Sequence, residues 1–136
     1  MNIYLRKLFI LSGLLPATFL LGLTFLFLPD QIKNLSFEVV EILMFLSMIF
    51  GICGYIGLLL SLIPKLKHKY LLKFALLFLG VIGSMTFTTI AGGKRAWTWI
   101  LNIEEFDEWI IWVWPLIVST VLIFLNGRKL LNRNEE

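Results

Sequence analysis

The stretch Ile42–Ile63, ILMFLSMIFGICGYIGLLLSLI, runs for 22 residues without an Asp, Glu, Lys, Arg or His. As an α-helix rising 1.5 Å per residue it is about 33 Å long, close to the ~30 Å hydrocarbon core of a bilayer. Three more runs of the same kind surround it: Leu8–Leu28 with 21 residues, Phe74–Ala91 with 18 and Trp109–Leu125 with 17. Each reads as a membrane-spanning helix, and together they hold more than half of the 136 residues. The composition follows, with 59% hydrophobic and 15% charged residues, against about 45–50% and about 25% in an ordinary soluble domain. A water-soluble globule is excluded. We expect one all-α integral membrane domain over residues 1–136, with spans at about 8–28, 42–63, 74–91 and 109–125.

Charge sets the expected orientation. Nine of the 12 basic residues fall on one side of the spans: Arg6, Lys7, Lys65, Lys67, Lys69, Lys73, Arg128, Lys129 and Arg133. Only Lys33, Lys94 and Arg95 fall on the other. The positive-inside rule therefore predicts both termini in the cytoplasm, in a plasma membrane that we take to be the inner membrane of a bacterium. Seven of the nine acids (Asp30, Glu38, Glu41, Glu104, Glu105, Asp107 and Glu108) belong to the outer side. The net charge of +3 thus describes a basic rim beside the lipid bilayer, and nucleic acid is not an expected partner. The run after Arg6-Lys7 is too long for a signal-peptide core and ends in Phe27-Leu28-Pro29-Asp30 rather than at small residues, so it is expected to stay as a span.

The connections are short. Residues 29–35 and 64–69 leave room only for tight turns, which predicts two antiparallel helical hairpins. Pro29 and Pro64 should close their helices. Ser36 is the expected N-cap of the second span, with Glu38 and Glu41 favourable to its dipole. Gly92-Gly93 should end the third. Asn102 and Glu105 form a capping-box pattern at the start of the fourth helix, and Gly127 followed by Arg128-Lys129 marks its end. Pro16 and Pro115 should kink their spans.

All five tryptophans (Trp97, Trp99, Trp109, Trp112 and Trp114) lie within 18 residues, a Trp-rich interfacial segment before and at the top of helix four. With Glu104, Glu105, Asp107 and Glu108, the residues Trp97, Trp99 and Trp109 make either a depth anchor or an external docking surface. Inside the bilayer the informative residues are small. Ser47, Gly51 and Gly54, with Ser61 and Gly57 nearby, form a narrow face of span two. Gly80, Gly83 and Ser84 form the matching face of span three, and the two faces are expected to pack closely. Gly51-x-x-Gly54-x-x-Gly57 is no dinucleotide fingerprint, because its spacing is wrong and no strand precedes it.

The spans carry no Asp, Glu, Lys, Arg or His, which disfavours proton relays and ion-coupled carriers. The serines there have no His, Lys or Asp partner within their spans, which disfavours intramembrane catalysis. A single cysteine, Cys53, allows no intrachain disulfide, and His68 has no companions at metal-ligand spacing, so neither metal nor cofactor is expected. In size and span count the chain is similar to the small multidrug resistance transporters, but the carboxylate of their first span has no counterpart in Leu8–Leu28. In size and hydropathy it also resembles the small four-span proteins that include DoxX-type proteins and membrane-embedded immunity proteins against pore-forming toxins. The expected function is that of a non-enzymatic accessory, binding or protective (immunity-like) subunit, whose partner is another membrane protein or a second copy of itself. The alternative is an oligomeric channel or carrier subunit for a small solute.

Overall fold

The computed structural model describes residues 2–63, 66, 69–93, 98 and 106–133. Four α-helices make up almost all of them: α1 (Ile3–Lys33), α2 (Val39–Leu62), α3 (Tyr70–Gly92) and α4 (Phe106–Arg133). All four are long and apolar enough to cross a bilayer. Their outward residues fit that reading, since Leu15, Leu26 and Phe124 are 74%, 72% and 69% exposed, an apolar surface that water would penalise and lipid would not.

The helices form a ring in which α2 packs on α3, α3 on α4, α4 on α1 and α1 on α2. The α2–α3 contact is the most extensive. A Cβ built on Gly54 would stand 2.6 Å from the Cα of Gly80, one on Gly83 would meet Phe50 and the carbonyl of Ser47, and one on Gly57 would touch the backbone of Leu77. As the α2 number rises the α3 number falls, so the two helices run antiparallel with their backbones touching, as small-residue faces permit in lipid. On the other side of the ring a Cβ on Gly13 of α1 would strike Val118 of α4 at 2.8 Å. Ile10, Leu58, Leu77, Val118 and Leu122, one or two from each helix, form the buried core. The starts of α1 and α3 and the end of α4 make a basic end. The acids Asp30, Glu38, Glu41, Asp107 and Glu108 belong to the opposite, acidic end.

Three helix ends differ from expectation. Pro29 does not close α1, which continues to Lys33 and ends where the Asn34 N–H donates to the Asp30 carbonyl at 3.0 Å. Proline removes a single backbone bond there, within the last turns of a 31-residue helix, and Lys33 complements the C-terminal dipole. Ser36 is not the N-cap of α2, since Glu38 takes that position. The Ser36 hydroxyl instead accepts from the Glu38 N–H at 3.4 Å, and the Ser36 N–H donates to the Glu41 carboxylate at 2.6 Å. The capping pair is thus displaced outward by two residues. Gly127 does not end α4, which runs on to Arg133. A Cβ on Gly127 would stand in ordinary contact with the Phe74 ring of α3, at 3.4 Å. Gly93 does cap α3, with φ of +52°. The expected turn at Pro64, the Asn102–Glu105 capping box and the segments 94–97 and 99–105 lie outside the described residues.

Candidate functional site

Between the core and the acidic end the four helices line a partly open cavity of about 250 Å³. Its origin is local. Each helix contributes a small residue to its wall: Ala17 of α1, Gly51 of α2, Ser84 of α3 and Ser119 of α4. The ring contacts hold the backbones at a fixed spacing, so small side chains on all four inner faces leave the centre unfilled. Leu58 and Ala17 belong both to the cavity wall and to the packed region around the core, which closes the cavity toward the basic end.

The wall is apolar, with hydroxyls set at intervals. Thr24 donates to the Leu20 carbonyl (2.9 Å), Ser47 to Met44 (2.6 Å), Ser84 to Gly80 (2.9 Å) and Thr88 to Ser84 (2.8 Å). Each hydroxyl hydrogen is therefore committed to its own helix, and what remains for an occupant is oxygen lone pairs. The Tyr55 hydroxyl bridges from α2 to Thr18 of α1 at 3.1 Å. Trp112 stacks on Phe87 with centroids 5.9 Å apart. None of the lining side chains is an Asp, Glu, Lys, Arg or His. Such a site can hold a neutral, mostly apolar group and orient it through one or two weak hydrogen bonds.

The structure divides the residues singled out from the sequence. Gly54, Gly80 and Gly83 do bring α2 and α3 into backbone contact, with Ser47 buried beside them. Gly51 serves a different purpose: a Cβ there would meet nothing within 4 Å, and the residue lines the cavity together with Ser84. Of the Trp and acidic group, Trp97, Trp99, Glu104 and Glu105 lie outside the described residues. Asp107 and Glu108 are exposed in the first turn of α4, and Trp109 is half-buried. Two tryptophans that the sequence assigned to the belt work inside the bundle. Trp112 lines the cavity, and the Trp114 indole N–H donates to the Ser12 hydroxyl of α1 at 3.0 Å while its ring meets Phe9 edge-on. An indole can sit at that depth because Ser12 satisfies its one donor.

Sequence reasoning missed the cavity. The available signal was a small residue in every span, but only helix rotation distinguishes small faces that touch from small faces that surround a void. Compared with protein-family models, with curated proteins and with solved structures, the chain has no significant match.

Proposed function

We propose that the chain is a small, non-enzymatic integral membrane protein, an accessory, binding or protective subunit whose binding element is the four-helix cavity. The observation that carries this reading is the cavity itself, apolar, edged with hydroxyl oxygens and backed by a packed core. Its occupant in this reading is a bilayer-resident apolar group, such as a lipid chain or a side chain of a neighbouring membrane protein. A lining without carboxylate, imidazole, ammonium or guanidinium groups favours binding over acid–base chemistry. The core packed behind the cavity favours a blind pocket over a conducting path, which is why the channel or carrier subunit stands second. In the proposed orientation both termini and the basic end face the cytoplasm, the cavity lies toward the outer leaflet, and the acidic end with Asp107, Glu108 and Trp109 faces an external partner.

The test is photocrosslinking in liposomes with a lipid carrying a diazirine on its acyl chain. Labelling is expected within residues 17–27 and 112–119, and Gly51→Leu, which fills open space, is expected to reduce it several-fold with no loss of thermal stability. Equal labelling of the variant would remove the cavity from the mechanism. Reproducible solute flux above empty vesicles, abolished by the same substitution, would establish the channel reading instead.

A further inference from the structure

The core layer has a polar layer directly beneath it, toward the basic end. Ile10, Leu77 and Leu122 are at most 1% exposed. One helical turn further toward that end on the same three helices stand Arg6, Lys73 and Asn126, four residues from each and so on nearly the same face. Burial follows them down: Lys73 is 3% exposed and Asn126 0%. Both polar atoms of the Asn126 amide and the Nε of Arg6 are buried without a hydrogen-bond partner. Among the described residues, Arg6 and Lys129 are cations near enough to act electrostatically on Lys73. Lys129, one turn beyond Asn126, places its ammonium 5.2 Å from the centre of the Tyr70 ring, at the N-terminus of α3. No carboxylate among the described residues is at this end.

Three cations from three helices around an unpartnered buried amide make an arrangement that repels itself when empty. Buried charge is retained where it is paired, and buried amides where they are hydrogen-bonded. An oxyanion answers these features together: it takes charge-assisted hydrogen bonds from Arg6, Lys73 and Lys129, accepts from Asn126 Nδ2 and complements the positive end of the α3 dipole, which leaves Asn126 Oδ1 to accept from a lysine ammonium. A lysine rim put there only for insertion would stay in water, as exposed Lys7 and Arg128 do; Lys73 is buried and Arg6 half-buried, and Lys129 closes the site from its exposed edge, over the Tyr70 ring.

We propose that Arg6, Lys73, Asn126 and Lys129 form a binding site for a phosphate-class oxyanion at the basic end of the bundle, supplied either by the headgroup of an anionic phospholipid or by free phosphate. The site is separate from the cavity and does not depend on what the cavity holds.

The experiment is thermal unfolding of the full chain in a neutral detergent. One arm titrates inorganic phosphate against chloride at constant ionic strength, and the other adds phosphatidylglycerol or phosphatidylcholine. A rise in Tm with phosphate identifies a free anion, and a rise with phosphatidylglycerol but not phosphatidylcholine identifies the lipid headgroup; either supports the site. Lys73→Gln is expected to weaken the apparent affinity about tenfold, the effect of losing one charged hydrogen bond, while Lys7→Gln and Arg128→Gln leave it unchanged. Arg6→Gln, at a half-buried position in the first turns of α1, serves as the second variant if Lys73→Gln does not fold. The proposal is overturned if neither anion raises Tm, or if the Lys73 and Arg6 variants respond like the wild type. It is also overturned if a response appears only after removal of residues 134–136, which would make the chain's own Glu135 and Glu136 the occupants.

Discussion

Gly51 and Gly54 are the same residue type one turn apart on one helix, yet their substitution should have opposite outcomes. A methyl group on Gly54 would stand 2.6 Å from the Cα of Gly80, and backbone cannot swing aside as a side chain can. Gly54→Ala should therefore push α2 and α3 apart at a cost of about 1–3 kcal/mol, with Gly54→Leu and Gly83→Leu at or above that range. Gly51→Ala meets only open space and gains helix propensity, so it should be neutral or slightly stabilising. Leu26→Ile, on a side chain 72% exposed, should change little. Unfolding of the purified variants in detergent measures all of these, and equal stability of Gly51→Ala and Gly54→Ala would disprove the backbone contact.

At the scale of the element, the informative cases are the glycines of α3 and α4. Gly93 has φ of +52°, a conformation that costs any residue with a Cβ, so Gly93→Ala should destabilise by about 1 kcal/mol. Gly127 sits inside α4 with no positive φ, and an added Cβ would come within 3.4 Å only of the far edge of the Phe74 ring. Gly127→Ala should then stabilise α4 by up to about 1 kcal/mol through propensity. The measurement is the denaturant midpoint of each variant; a loss at position 127 as large as at position 93 would restore Gly127 to the role of terminator. The same helix holds α1 through the bond from Trp114 to Ser12. That bond gives Trp114 a structural assignment independent of any belt.

For the whole molecule the open matter is direction. The nine-to-three division of basic residues predicts that a reporter fused after Arg133 is cytoplasmic. In a Cys53→Ser background, a cysteine at Gln31 or Ala96 should react with an impermeant thiol reagent in intact cells. Reaction at those positions only after the membrane is breached would invert the bundle, moving the cavity to the inner leaflet and the Arg6–Lys73–Asn126 layer to the outer one. The internal geometry of both sites would survive that inversion, because it depends on helix contacts and not on which solvent lies beyond them.

The sequence alone determined that there are four helices and roughly where they lie. An uncharged apolar run as long as the bilayer is thick has few other stable states, since every backbone polar group must be bonded within the segment. It also determined that Gly54, Gly80 and Gly83 would face a close neighbour. Helix ends were legible only where the backbone itself demanded glycine, as at Gly93. At Pro29 and Gly127, whether the helix stops depends on what packs beside it, and local residues carry no record of that. The tertiary structure alone decided which small residues touch and which surround a cavity, that Trp112 and Trp114 turn inward, and that Lys73 is buried while Lys69 stays exposed. Those distinctions depend on the rotation and spacing of each helix relative to three others. Such quantities are set jointly by the whole ring of contacts, and no window of the chain contains them.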